Sequence, residues 1–454
     1  MTFNKHYFKC IINVLLFTTL LCLIVCWLQN HSHNEAERYQ IERFYHEDQN
    51  SLNAIILGSS HPYRGISPME LYNNYGISCY DLTSSAQSVM TSYYAIKEAL
   101  KTQSPELIII DADSLYEPVS RESAHKYVLD GMHLDSVKID YAYHLSEYFL
   151  AEESSTPPNF SSVISSDSFI GTLFPVIRYH TEVSKMTKAE FVSLPQNMRS
   201  YSRGFLIDAD VVASDASVDE MNRLYDSTYN DADIAIPEIN AEYALKIKQL
   251  CNDRGINLLF IKVPSYGIPD GQKTFWVNNK YTATRQFCDE NNISYIDFLY
   301  EQDIGLDSDN DFLDGGLHLN FRGAIKMSAA LGDYLISNYE FASINHTDTW
   351  KTDEDIYEKI RQVALLASET DLPSYQSMLE NLTGFEVQSN SIDDTIYYLV
   401  TDPVSGCTID NVRFTRSSSD FQCVRDGIDS EGIDHGSVSF NLHEYENYLI
   451  DSSY

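Results

Sequence analysis

Ala54-Ile55-Ile56-Leu57-Gly58-Ser59-Ser60-His61 is the stretch on which the reading of this chain turns. Its leading residues form a short, uniformly apolar run, which predicts a strand buried on both faces. Gly58 then permits a sharp turn that leaves a serine at the strand's carboxyl end, where open α/β sheets place their ligands. A serine hydroxyl is a poor nucleophile until a histidine takes its proton, and the histidine needs a carboxylate to fix its tautomer. Both residue types stand together in Asp314-Gly315-Gly316-Leu317-His318-Leu319-Asn320, a loop that precedes a helical pattern. Ser60 as nucleophile, His318 as base and Asp314 as orienting acid are therefore the candidate catalytic residues.

The chain between these stretches alternates short apolar runs with helical periodicity. Strands are expected at Ser78 to Leu82, Glu106 to Asp111, Asn257 to Val263 and Ser294 to Phe298. Helices are expected at Ala86 to Lys101, Asn240 to Asp253, Tyr281 to Asn291 and Arg322 to Ser337, and Ser67-Pro68-Met69-Glu70 reads as a capping box with proline at the first helical position. This order predicts an α/β fold, a three-layer α/β/α sandwich on a parallel five-stranded sheet of flavodoxin-like type. From about 118 to 237 the alternation fades. That stretch, with a helical piece at Asp167 to Glu190, reads as an insertion over the mouth of the site, where substrate choice would reside.

Outside the α/β region, which is placed at 50–345, the texture changes. Cys10 to Leu28 is apolar and uncharged, enough to span a bilayer core as a helix, with Lys5 and Lys9 before it. The positive-inside rule then gives a cytoplasmic tail at 1–9, a transmembrane signal anchor at 10–28, a tether at 29–49 and an extracytoplasmic body. A cleavable signal peptide is the competing reading, although no small-residue cleavage site follows the apolar run. Residues 346–454 are expected to form a small accessory α+β domain: an amphipathic helix from Asp353 to Ala367, a helix after Pro373, and strands at Phe385 to Gln388, Thr395 to Thr401 and Thr408 to Phe414.

Charge and cysteine content exclude several functions. With 31 Lys+Arg against 66 Asp+Glu the formal charge is −35, which repels nucleic acid, so no nucleic-acid partner is expected. Cys79, Cys251, Cys288, Cys407 and Cys423 lie beyond the apolar segment without zinc spacing, and Cys407 with Cys423 is the one pair to test for a disulfide. Asp111 and Asp113 stand at a strand end without an identified third ligand, so no metal is expected, and no cofactor motif is present. His133, His180, His435 and His443 read as structural or surface residues. His61 is expected to point away from the partner side of Ser60, because neighbours on an extended segment face opposite ways, which leaves it a supporting or substrate-contacting role.

Gly58-Ser59-Ser60 resembles the Gly-Asp-Ser block of the SGNH/GDSL superfamily of esterases and acyltransferases, and Asp314 to His318 resembles its Asp-x-x-His block. The variant Gly-Ser-Ser-His, the stretch Leu173-Phe174-Pro175-Val176-Ile177-Arg178-Tyr179-His180 and the run His318-Leu319-Asn320-Phe321-Arg322-Gly323-Ala324 are similar to membrane-anchored extracytoplasmic bacterial members. Those members are distantly similar to the proteins of alginate O-acetylation and teichoic-acid D-alanylation. The resemblance covers roughly residues 50 to 340. It implies a serine esterase or O-acyltransferase at the bacterial cell membrane, acting on a cell-envelope polysaccharide or other acylated polymer, with a membrane protein as a possible source of acyl groups. The alternative is a catalytically inactive scaffold or glycan-binding envelope protein on the same fold.

The chain departs from the family pattern at three points. Three residues rather than two separate Asp314 from His318, so either the loop bulges or Asp311 orients the histidine. The second-block glycine is replaced within Ser84-Ser85-Ala86-Gln87, leaving backbone amides of Ser85 or Ala86, with that of Ser60, as oxyanion donors. The third-block asparagine is absent, and the Gln87 side chain is the proposed substitute donor.

Overall fold

A computed structural model of the chain describes residues 12–14, 16–20, 39–154, 156–174, 177, 201–214, 235–265, 275–299, 301–392, 394–416 and 421–425. After a short helix α1 (Tyr39–Phe44) comes β1 (Ala54–Leu57), then helices α2 (Ser60–Gly65) and α3 (Pro68–Tyr75), strand β2 (Cys79–Asp81) and helix α4 (Val89–Ala99). Strand β3 (Leu107–Asp111) leads into a short 3-10 turn at Ala112–Leu115 and the insertion, whose longest helix among the described residues is α5 (Ser136–Glu153). Helix α6 (Glu238–Arg254), β4 (Asn257–Lys262), α7 (Phe275–Glu290), β5 (Ser294–Asp297) and α8 (Phe321–Asn338) complete the α/β region.

All five strands pair in parallel in the order β2-β1-β3-β4-β5. Their apolar alternation feeds two cores. Ile55, Leu57, Ile108 and Ile110 face one core with Val89, Ala95, Tyr243, Ala244 and Ile247 from α4 and α6. Ala54, Ile56, Leu107 and Ile109 face the other with Leu71, Met327, Leu331 and Leu335 from α3 and α8. Helices thus cover both faces, and side chains that alternate along each strand have no solvent side to choose, which is why the strands read as unbroken apolar runs.

The expected span at 10–28 lies largely outside the described residues; within it, residues 12–14 and 16–20 are helical and exposed. Among the described residues no helix is long and apolar enough to cross a membrane. Of the expected helix Asp167 to Glu190, the described part runs from Asp167 to Leu173. His180, His435 and His443 also lie outside the described residues.

The C-terminal part forms α9 (Asp348–Glu369), α10 (Leu372–Glu380) and an antiparallel sheet of β6 (Glu386–Ile392), β7 (Thr395–Thr401), β8 (Thr408–Arg416) and β9 (Phe421–Arg425). Its core includes Tyr357, Ile360, Tyr375, Val400 and Val412, and it continues into Met69, Phe205, Phe321 and Ala324 of the α/β region. Cys423 sits opposite Phe414 in the β8–β9 ladder. Cys407 lies seven residues before Phe414, about 20 Å of extended chain, so the pair cannot bridge.

The capping box at Ser67 forms only in part. Ser67 Oγ accepts from Glu70 N, but the Glu70 carboxylate turns to Tyr357 Oη and Arg361 Nε of α9 (3.1 and 2.7 Å), while Ser67 N donates to Ser328 Oγ of α8. Tertiary partners outcompete the local one.

Candidate active site

The strand register brings the site's pieces to one edge. Leu57 pairs with Ile110, and Asp111 with Ile261, so the carboxyl ends of β1, β3 and β4 are level. In this strand order the direction of winding reverses between β1 and β3, the switch point at which open α/β sheets bind their ligands. Gly58 makes the exit from β1 with φ of 146°, and a Cβ there would lie 2.4 Å from Asp111 Cβ, so only glycine lets the two strand ends approach. Ser59 holds the N-cap position of α2 but makes no side-chain cap bond, because its hydroxyl donates to Asp111 Oδ2 at 2.6 Å.

Ser60 opens α2. Its Oγ lies 2.7 Å from His318 Nε2, and His318 Nδ1 lies 2.6 Å from Asp314 Oδ2. Asp314 Oδ1 also accepts from the His318 backbone N–H at 2.8 Å, so one carboxylate fixes both the ring and its backbone. Burial alone would raise the Asp314 pKa, but the hydrogen bonds and charge of His318 outweigh it and hold the carboxyl below its ordinary value. The additional residue is absorbed by Gly315 and Gly316, both at positive φ. Asp311 is not the orienting acid: it is buried, accepts from Asp307 N and pairs with Lys326 Nζ at 2.5 Å.

Asn320 ends the loop and caps α8. Its Oδ1 accepts from Gly323 N, and its Nδ2 reaches the carbonyls of Asp210, Asn310 and Phe312. Residues 201–214, the returning limb of the insertion, act as a strap across this end of the sheet. Leu206 N donates to Tyr63 O, Asp81 N to Arg203 O, Phe321 N to Asp208 O and Val212 N to Phe312 O. Arg64 on α2 pairs with Asp208 at 3.1 Å. The strap ties the Ser60 helix, the end of β2 and the His318 loop together, a role that isolated backbone bonds give no periodic pattern to announce.

Ser85 and Ala86 form the turn after β2, with Ala86 in the left-handed region (φ 49°) and Ser85 Oγ 2.9 Å from Tyr63 Oη on α2. The Gln87 expectation requires correction. Its amide group donates to Ser92 Oγ (3.0 Å) and Leu82 O (3.4 Å), and its Oε1 accepts from Ser84 Oγ, so the buried side chain serves its own loop. The segment assumed extended at His61 is helical over residues 60–65. His61 lies beside His318, ring centres 5.2 Å apart.

His61 also supplies the third ligand type that the sequence reading lacked beside Asp111 and Asp113: one donor atom from each of the three lies within 4.8 Å of the others. The cluster fits a metal ion poorly, because a cation is already built in. Lys262 Nζ, at the end of β4, sits 2.6 Å from Asp113 Oδ2 and is held in its charged form by Asp113 and Asp111 against the opposing effect of burial. Ser59 satisfies Asp111, whose pKa is raised by burial and by Asp113. The Asp113 carboxyl stays well below its ordinary value; burial opposes this, and Lys262 overcomes it. His133, away from the site, stacks on Tyr45 with ring centres 4.0 Å apart.

The strand order, the serine after β1 and the Asp–His loop before the last helix of the sheet form the arrangement that the resemblance to SGNH/GDSL hydrolases implied. No family model matches the chain, and no curated protein matches it. Solved structures similar to it include a candidate acylhydrolase from Bacteroides fragilis at 9% identity and a TM-score of 0.31, covering 66% of this chain and 95% of that one. A GDSL-like lipase from Bacteroides thetaiotaomicron is similar at 9% identity and a TM-score of 0.30, covering 66% and 97%. A candidate platelet activating factor from Streptococcus pneumonia is similar at 11% identity and a TM-score of 0.31, covering 70% and 98%.

Proposed function

We propose that the chain is a membrane-anchored, extracytoplasmic serine esterase or O-acyltransferase that works on an acylated cell-envelope polysaccharide. The single observation that supports the chemistry is the continuous hydrogen-bonded path Ser60 Oγ, His318 Nε2, His318 Nδ1, Asp314 Oδ2. Ser60 Oγ attacks the ester carbonyl while His318 takes its proton, and Asp314 keeps the ring protonated at Nδ1 and stabilises the imidazolium. The developing oxyanion is met by the amide of Ser60, at the first position of α2 where helical N–H groups lack partners within the helix, and by the Ser85–Ala86 turn. His318 returns its proton to the leaving alcohol. Water or a sugar hydroxyl then takes the acyl group. A scaffold or glycan-binding module has no need of three groups in proton-transfer contact, which favours the enzyme reading.

The location rests on the apolar stretch at 10–28 and the cations before it. An enzyme outside the membrane has no direct access to cytoplasmic acyl donors, so a membrane protein that delivers them is the partner proposed for the transferase form. Fluorophosphonate labelling of the full-length protein tests the serine assignment. Wild type is expected to label, and Ser60→Ala and His318→Ala to lose at least about 100-fold in labelling rate. Undiminished labelling of Ser60→Ala would sink the assignment.

A further inference from the structure

His61 carries a ring nitrogen that the Ser60, His318 and Asp314 set does not use. Its Nδ1 is 3.2 Å from Asp113 Oδ2 and 3.2 Å from Ser59 Oγ. Ser59 gives its own proton to Asp111, so both neighbours of Nδ1 act as acceptors and Nδ1 carries the hydrogen. Burial, and next the Lys262 ammonium behind Asp113, hold the imidazole neutral, with its pKa pushed down to about 3. A neutral ring with its proton on Nδ1 has a bare lone pair on Nε2. That Nε2 is buried and has no hydrogen-bond partner among the described residues, an unfavourable position for an acceptor. The ring lies beside that of His318, whose Nε2 meets Ser60.

We propose that His61 Nε2 accepts a hydrogen bond from a second hydroxyl on the molecule that receives the acyl group from Ser60, which makes a vicinal diol such as a carbohydrate the preferred acceptor class. This rests on the reading of Ser60 as the acylated nucleophile. In the transfer step the attacking oxygen bonds to the acyl carbon and gives its proton to His318 Nε2. The bond from that carbon to Ser60 Oγ breaks with its electron pair left on Oγ, and His318 returns the proton there. A simple alcohol then has no proton to offer His61, whereas a diol donates from its neighbouring oxygen. Two adjacent hydroxyls, each within hydrogen-bond reach of about 2.8 Å, suit two histidines lying side by side. Asp113 and Lys262 are positioning residues: the first fixes the proton on Nδ1, and the second adds to burial in keeping the ring from taking another.

The test uses the full-length protein, p-nitrophenyl acetate as acyl donor, and ethylene glycol or 2-methoxyethanol as acceptor. The two acceptors differ chiefly in the second O–H. Wild type is expected to favour ethylene glycol by about ten-fold per hydroxyl in ester formed. His61→Asn, whose amide reaches only the Nδ1 position, is expected to cut that preference to about two-fold, and His61→Gln, whose amide reaches the Nε2 position, to keep most of it. A preference is a ratio, so a general loss of activity does not imitate this result. Equal use of both acceptors by wild type, or an undiminished preference in His61→Asn, overturns the inference while labelling of Ser60 by fluorophosphonate leaves the serine reading standing. Wild type that neither labels nor forms an acetyl-enzyme overturns both.

Discussion

Gly315 and Gly316, at φ of 77° and 102°, let the loop before α8 fold back so that Asp314 meets both the ring and the backbone of His318. A side chain at either position would resist that conformation. The Asp314 side chain is 33% exposed, so water can partly replace it. Asp314→Asn is therefore expected to slow Ser60 acylation by about 100-fold, less than the roughly 10,000-fold known for a buried triad aspartate. Asp311→Asn is the informative contrast. Its carboxylate is buried against Lys326 and away from His318, so it should lower the melting temperature and leave acylation within about three-fold of wild type. Acylation rates of the two variants separate the roles, and a larger loss in Asp311→Asn would reverse the assignment of the acid.

At the scale of elements, the turn between β1 and α2 is a tight constraint on the site. Gly58→Ala combines a positive φ with a Cβ 2.4 Å from that of Asp111, whereas Gly76→Ala, at φ 68° after α3, meets open space. The first is expected to cost about 3 kcal/mol or more in urea unfolding and the second about 1 kcal/mol. Equal midpoints would mean that the β1 exit relaxes freely. The strands were legible because burial on both faces leaves an unbroken apolar signature, as in Leu107-Ile108-Ile109-Ile110, and helix α8 because its apolar stripe repeats. The pairing of Ser60 with His318 was proposed from a serine after a buried strand and a histidine in a loop before a helix, in the right order on an α/β frame. The helical turn at His61 was not legible: Ser59 spends its hydroxyl on Asp111 rather than on a cap, so no local signal marks the helix start. Nor was the Lys262–Asp113–His61 contact, since its members come from three separate strand ends and meet only through the β3–β4 register. The strap at 201–214 and β9 lack the length or periodicity that sequence patterns need.

On the scale of the whole molecule, one arginine joins three distant segments. Arg203 of the strap contacts Glu47 after α1 at 2.9 Å and Asp353 of α9 at 2.7 Å, and its guanidinium lies 4.1 Å from the Trp350 ring centre. One cation cannot neutralise two buried carboxylates, and burial, only partly offset by Arg203, raises the Glu47 pKa from 4.5 to about 7. Below pH 4.5 the folded and unfolded chains both hold this proton. Between 4.5 and 7 the folded chain keeps a proton that the unfolded chain has released, so this contribution to stability declines as pH rises through that window and is lost above it. The difference amounts to about 3 kcal/mol. Glu47→Gln mimics the protonated form while Asp353 retains the arginine, so at pH 8 the variant should melt several degrees above wild type, and at pH 4.5 the two should nearly coincide. The remaining acidic surface contributes equally to both proteins and cancels in the difference between their melting curves. Parallel curves from pH 4.5 to 8 would show that Glu47 titrates alike in the folded and unfolded chains and that its burial beside Arg203 and Asp353 does not raise its pKa.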